Sequence, residues 1–422
     1  MAGGARGNAT SATYVTGYRE GGGSGGRGIL ALSLIGFFGI FSTTMSKSPV
    51  LPLFVKSLSG SDTVIGLVAA ISPIAGILFS FPVGMLADRL GKKKLLLAAA
   101  VVFLVAPLLY LLITNPFWLI PLRFFHGIAT AILGPVAAAF IVSSYPKSKG
   151  EKLGLYSSAT LIGRTLAPLL GGAIISLFAS YHAVYLAAFL LCVPLAVLTL
   201  LLKDDAVGAA APGASVGTGS VTKVTWADFR GSLAAFGRNG KLLSTSLVEM
   251  ATYFAYGCLE TYLPIFLSRQ GVPVYQIGLI FSLQILSIAL TKPLFGRLAD
   301  TIDRRIQIMA GIVFLAACTA AIPLSSSTIV TAAIGILFGL GLSVSTVATS
   351  TYVAEVAGKE NLGASLGALS SIMDIGHSSG PFVAGVIITA TTIFGGFLSA
   401  AVVCVLAAAL FALLAFRKTR EP

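Results

Sequence analysis

Twelve apolar segments, most of them long enough to cross a lipid bilayer, dominate this sequence and leave few folds open to it. They run over residues 29–55, 63–83, 95–114, 117–144, 153–178 and 183–202, then 242–267, 275–295, 306–324, 328–353, 364–389 and 394–415. A helix needs about 20 apolar residues to span the hydrocarbon core. The runs are continuous rather than alternating, which argues against a membrane β-barrel. Only 10% of the 422 residues are charged, and mean hydropathy is +0.94. That is too little polar surface for a water-soluble globule, since an average soluble protein is about a quarter charged. A cytosolic enzyme, a secreted disulfide scaffold and a disordered chain are therefore excluded. The expected fold is an all-α integral membrane protein with twelve transmembrane helices.

Charge sets the topology. The net charge is +13, and in membrane proteins Lys and Arg collect in cytoplasmic loops. With the N-terminus placed in the cytoplasm, 22 of the 28 Lys and Arg fall on the cytoplasmic side. The outer loops hold two, Lys56 and Arg269, and the spans hold Lys47, Arg123, Arg164 and Lys292. Both termini are expected inside, in a multi-pass protein of the cytoplasmic (inner) membrane. No basic stretch is interleaved with aromatics, so nucleic acid is not an expected partner. The expected organisation is a Gly-rich cytoplasmic tail over 1–28, a six-helix bundle over 29–202, a flexible cytoplasmic linker over 203–241, a second bundle over 242–415 and a tail over 416–422. A short amphipathic helix is expected near Trp226 and Phe229, and the first span reads as an uncleaved anchor. Cys192, Cys258, Cys318 and Cys404 fall in apolar runs without metal-ligand spacing and read as core residues.

The two halves repeat. Ile65-Gly66-Leu67 recurs as Ile277-Gly278-Leu279, Gly84-Met85-Leu86-Ala87-Asp88 as Gly296-Arg297-Leu298-Ala299-Asp300, and Leu51-Pro52-Leu53-Phe54 as Leu263-Pro264-Ile265-Phe266, all at an offset of 212. Gly163, Pro168 and Gly172 match Gly376, Pro381 and Gly385 at 213. Six spans return the chain to the side it started from, so the halves are parallel repeats about an axis along the membrane normal. Such halves are expected to rock around a site at their interface near the midplane.

Three motifs carry a resemblance. The loop after the second span reads Gly84-Met85-Leu86-Ala87-Asp88-Arg89-Leu90-Gly91-Lys92-Lys93-Lys94. It resembles the signature loop of the major facilitator superfamily, G-x-x-x-D-R-x-G-R-R/K, with Lys92 in place of Arg. The second copy keeps Gly296, Asp300, Arg304 and Arg305 but has Asp303 where Gly91 would align. The resemblance implies a conformational switch at this loop; a generic positive-inside loop is the plainer alternative. In the fourth span, Arg123-Phe124-Phe125-His126-Gly127 resembles the family's R-x-x-Q-G, with His126 replacing Gln. The fifth span, Gly163-Arg164-Thr165-Leu166-Ala167-Pro168-Leu169-Leu170-Gly171-Gly172, resembles the fifth-helix signature of the drug–proton antiporter branch, and Gly376, Gly380, Pro381 and Gly385 repeat it. The family implies twelve helices, alternating access and one central cavity; the branch implies export.

Ionisable residues inside spans are costly and mark function or paired structure. Glu260 lies in the seventh span, with Asp374 and His377 in the eleventh, three residues apart and so on one helix face. A carboxylate couples protons to transport because its proton affinity rises with desolvation and falls beside a cation. Glu260 and Asp374 are the candidate proton carriers. His126 and His377 are candidate assistants, and Arg123 and Lys47 candidate cavity cations. Glu249 shares a face with Glu260 but is placed near the cytoplasmic end, within reach of water, and Lys292 reads as a snorkelling residue. An Asp-x-x-His pair can ligate a metal, but no further ligand is evident, so no metal is expected. No phosphate-binding loop or catalytic constellation appears, so no enzyme activity and no cofactor are expected, and the energy source is the proton gradient. The reading is a monomeric, proton-coupled exporter of small organic molecules, whose partners are its substrate, protons and the bilayer. A proton-linked importer of a nutrient or organic anion is the alternative within transport. A non-transporting sensor or assembly factor is the alternative outside it.

Overall fold

Apart from two single-turn 3-10 segments, the secondary structure among the described residues is α-helix, as continuous apolar runs require when backbone groups must be satisfied without water. The computed structural model describes residues 24–202, 231, 234, 239–299, 301–357 and 362–416. The first span is α1 (Ser24–Met45) and α2 (Val50–Ser57). It is followed by α3 (Asp62–Leu90), α4 (Lys92–Tyr110), α5 (Leu119–Ser144), α6 (Lys149–Phe178) and α7 (Tyr181–Leu201). The second half holds α8 (Gly240–Arg269), α9 (Val274–Ala299), α10 (Arg304–Ala321), α11 (Thr328–Ala357), α12 (Leu362–Ala390) and α13 (Ile393–Ala415). The expected tails, the Trp226 helix and most of the linker lie outside the described residues.

The apolar run over 29–55 is not one unbroken helix: the chain breaks at 46–49, at the first of the prolines Pro49 and Pro52, and places Lys47 in the break. Pro49 has no N–H to donate into a continuing helix, and the chain re-enters helix at Val50 with Leu51 N–H donating to Lys47 O at 2.9 Å. Elsewhere the ends are capped from the sequence. Ser61 Oγ accepts from Val64 N–H at the start of α3, Ser180 from Ala183 N–H at α7, and Asn239 from Lys241 N–H at α8.

Among the described residues, ten helices are long and apolar enough to cross a membrane by composition alone. The other two, α8 and α12, are equally long but carry Glu249 and Glu260, and Asp374 and His377. Protein covers them: α8 packs against α11, α12 and α13, while α12 lies between α3 and α8. Lipid-facing positions carry large apolar side chains instead, such as Leu177, 79% exposed, and Ile329, 82% exposed. All four cysteines are buried and unpaired.

The halves meet through two symmetry-related helix pairs, α3 with α12 and α6 with α9. The repeated glycines sit at these crossings. A Cβ on Gly66 would overlap the Pro381 carbonyl oxygen, and one on Gly278 would overlap the Pro168 carbonyl oxygen. Gly172 meets the Val274 backbone and Gly385 the Asp62 backbone in the same way. The sequence repeat is thus a pair of interlocking small-residue contacts that let backbones approach closely. Thr63 and Thr389 hydroxyls are 2.9 Å apart, Tyr262 donates to Asp62 O at 2.7 Å, and Tyr275 N–H donates to Ser176 Oγ at 3.1 Å. Among the described residues, the hydrogen bonds joining the halves lie at this end or at mid-membrane. Towards the opposite end Arg164 and Lys292 are exposed.

Candidate functional site

The break between α1 and α2 delivers Lys47 to the interface between halves. Its Nζ lies 2.7 Å from Glu260 Oε2 on α8. His377 of α12 donates from Nε2 to the same oxygen at 2.9 Å, and Lys47 Nζ is 3.4 Å from that nitrogen. Gly257 makes this convergence possible. A Cβ there would lie 2.8 Å from His377 O and 2.8 Å from Pro381 Cδ, so only glycine lets α12 lie this close to α8. Tyr253 and Tyr256 flank the imidazole, with ring centroids 6.2 and 5.4 Å away. Glu260 is 8% exposed. An ion pair with a shared histidine, drawn from both halves and largely removed from water, is a tie that protonation of the carboxylate would release.

Asp374 stands one turn from His377 and faces α3, its Oδ2 3.4 Å from where a Cβ on Gly76 would sit. The Lys47 charge acts on it, but among the described residues no cation comes within ion-pair distance. Geometry therefore separates the two candidate proton carriers: Glu260 is paired, Asp374 is not. Arg123 and His126 lie elsewhere, inside the first half. Both are 1% exposed, and His126 packs edge-on against Phe103 and Tyr110 at 5.7 and 6.1 Å. Tyr110 in turn stacks on Tyr185 at 4.3 Å. Arg123 acts on Lys47 only through the field. Arg164 is exposed on α6, where its charge reaches Lys47, His377 and Lys292.

The fifth-helix residues pack against the first span: Gly163 faces the Phe37 carbonyl and Gly171 the Met45 carbonyl. On the other side of the repeat, Gly376 and Gly380 press on the Met250 and Phe254 carbonyls of α8. In the loop after the second span, Gly91 has φ +90° and joins α3 to α4. The Gly84, Asp88 and Arg89 side chains and Asp300 lie outside the described residues. Gly296 faces open space. The second copy turns differently. Asp303, with φ −54°, caps α10 by accepting from Arg305 N–H at 2.9 Å and pairs with the Arg305 guanidinium at 2.6 Å. Arg304 pairs with Glu355 at 2.6 Å.

Glu249 is the residue that sequence reasoning undervalued. It does not lie open to water but is 4% exposed, and its carboxylate accepts from Thr349 Oγ1. Its eleven-residue spacing from Glu260 was the available signal. It borders a cavity of about 370 Å³ together with Lys292, Tyr253 and Ser350. No group of three or more His, Cys, Asp or Glu that could hold a metal occurs among the described residues.

Known proteins share both the sequence pattern and this architecture. An uncharacterized MFS-type transporter of Methanocaldococcus jannaschii is 23% identical over 331 residues, covering 78% of this chain and 83% of that protein. The multi-drug resistance efflux pump PmrA of Streptococcus pneumoniae is 34% identical over 180 residues, 40% of this chain and 45% of the pump. The multidrug resistance protein MdtG of Escherichia coli is 32% identical over 151 residues, 34% of this chain and 36% of its own length. Among solved structures, a bacterial homolog of the human lysosomal transporter Spinster, inward-facing and unoccupied, shares the fold with a TM-score of 0.79 at 19% identity, covering 92% of this chain and 96% of its own. The nucleoside transporter NupG gives 0.71 at 17% identity, covering 92% of this chain and 99% of its own. The sequence model of the Major Facilitator Superfamily matches residues 32–278 and 245–422. With both halves matched and the fold shared, this chain belongs to the Major Facilitator Superfamily, and it is a multi-pass membrane transporter, not an enzyme.

Proposed function

We propose that this transporter exports small organic molecules across the cytoplasmic membrane in exchange for protons, acting as a monomer with no cofactor beyond the proton gradient. The observation that carries the reading is the buried Lys47–Glu260–His377 cluster, which ties the two halves together at mid-membrane. The loop charge bias supports placing the end that lacks described hydrogen bonds between the halves in the cytoplasm, as the open end. In this conformation a cytoplasmic substrate has access to the interface while the Gly66–Pro381 and Gly278–Pro168 crossings hold the outer end shut.

The cycle follows from charge. Deprotonated Glu260 holds Lys47 and favours the conformation described here. Substrate entry carries the site outward and parts Glu260 from Lys47; a proton from outside then neutralises the freed carboxylate, and substrate leaves. Return inward and loss of the proton to the cytoplasm restore the pair. Alternating states differ by only a few kcal/mol, and breaking a buried ion pair costs about 3–5 kcal/mol, so a single proton is sufficient to reverse the balance. The efflux pumps similar to this chain support the outward direction. A second reading, import of an organic anion with a proton, draws on the cationic character of Lys47, Arg123 and Arg164, of which Arg123 has no carboxylate within ion-pair distance among the described residues.

Inside-out vesicles decide between the two. With an acidic interior, a panel of organic cations, neutral drugs, sugars and organic anions is added outside. Export predicts substrate-triggered proton efflux that Glu260→Gln abolishes. Proton movement in the same direction as a co-transported anion would support import, and no coupled proton movement with any compound refutes the proton-coupled reading.

A further inference from the structure

The cavity bordered by Glu249 lies within the second half, its lining drawn from α8, α9, α11 and α12 alone. It adjoins the cluster that joins the halves through Tyr253, which flanks the His377 imidazole. Its two charges are opposite and unpaired. Glu249 and Lys292 act on each other electrostatically, yet they form no ion pair among the described residues. Both border the same space of about 370 Å³, Glu249 buried and Lys292 exposed. Thr349 fixes the Glu249 carboxylate in place. Arg164 of the other half adds its field to the Lys292 side. Leu366, Leu369 and Met373 supply apolar lining.

We infer that this cavity binds the transported molecule, and that the molecule is a small zwitterion with an apolar body. Its ammonium group meets Glu249, its anionic group meets Lys292, and its body lies against Leu366, Leu369 and Met373. A ligand with one charge covers the cavity but leaves the opposite protein charge unpaired beneath it, which is the basis of discrimination. The inference rests on the transport reading and names its substrate class.

The test uses three molecules with one body: L-phenylalanine, phenethylamine and 3-phenylpropanoate. The full-length protein in detergent is heated with each, and unfolding is followed with a thiol-reactive dye that reports exposure of the four buried cysteines. Phenylalanine is expected to raise the unfolding temperature at a half-maximal concentration about tenfold or more below either analogue, the value of one charge-assisted bond. Glu249→Gln should make 3-phenylpropanoate as effective as phenylalanine, and Lys292→Met should do so for phenethylamine. This crossover is a pattern that a folding defect does not produce. Thr349→Val, which keeps both charges, should weaken phenylalanine and phenethylamine alike. The assignment is overturned if phenylalanine gives no shift, if either analogue equals it in the wild type, or if the variants keep the original preference. The dye reads binding without flux. Failure here therefore leaves proton exchange to the vesicle measurement, and loss of exchange with binding intact refutes antiport alone.

Discussion

Replacing Glu260 with glutamine tests the tie between the halves most directly. The substitution keeps side-chain size and removes the charge that Lys47 and His377 share at 2.7 and 2.9 Å. Removing one partner of a buried pair costs about 3–5 kcal/mol. The Lys47 side chain is 23% exposed, which places the cost at the low end, about 3 kcal/mol. If the pair exists only in the conformation described here, its loss shifts the balance towards the outward-open state by about 100-fold. The shift can be read with a cysteine at Ser282. That residue is 6% exposed and its hydroxyl accepts from Leu169 N–H across the interface at 3.1 Å, so it is shielded while the outer end is closed. The native cysteines are buried and give little background. Labelling of Ser282→Cys by a membrane-impermeant maleimide from outside should be slow in the wild type and faster by about one to two orders of magnitude with Glu260→Gln. Unchanged labelling, with substrate-driven proton movement also unchanged, would refute the argument that this pair sets the conformational balance.

Three further outcomes are expected. The double variant Lys47→Met/Glu260→Gln removes both charges and should unfold at a higher temperature than Glu260→Gln alone, because no buried charge is left uncompensated. Gly66→Ala and Gly278→Ala each place a methyl against a facing carbonyl oxygen; each should loosen the outer closure by about 1–3 kcal/mol and raise Ser282→Cys labelling, whereas Gly296→Ala, facing open space, should not. The hydrogen bonds from Arg305 hold the Asp303 carboxyl below its ordinary range. Its stabilising contribution is therefore present above the usual carboxylate pKa and lost as pH falls below it. Since the pair is exposed, Asp303→Ala should cost less than about 1 kcal/mol at neutral pH and nothing in acid, as measured by unfolding temperature against pH.

Much of the architecture was legible in one dimension. Hydropathy sums over a segment regardless of its neighbours, so the runs over 63–83 or 394–415 announce their helices unaided. Glycines at an offset of 212 or 213 announced the repeat, and the structure supplies its reason: Gly66 with Pro381 and Gly278 with Pro168 are the same backbone contact made twice. Local chemistry was equally readable at Gly91, where a positive φ is needed between two helices. The site was less legible, because it depends on which face of each helix meets which neighbour. Lys47 appears as a lone charge in an apolar run, and only packing of α8 and α12 against the first span gives it Glu260 and His377. The Arg123-x-x-His126 motif reads as cavity-facing, yet its side chains are enclosed within the first bundle beside Tyr110 and Phe103.

The sequence by itself determined that this chain spans the membrane twelve times in two repeated halves, because burial in lipid constrains every residue of a segment alike. Only the tertiary structure decided which charges meet across those halves and which, like Glu249 and Lys292, line one cavity without pairing. Pairing in a low-dielectric interior depends on ångström-scale approach between distant helices, and that approach is set by glycines and carbonyls far from the charges they bring together.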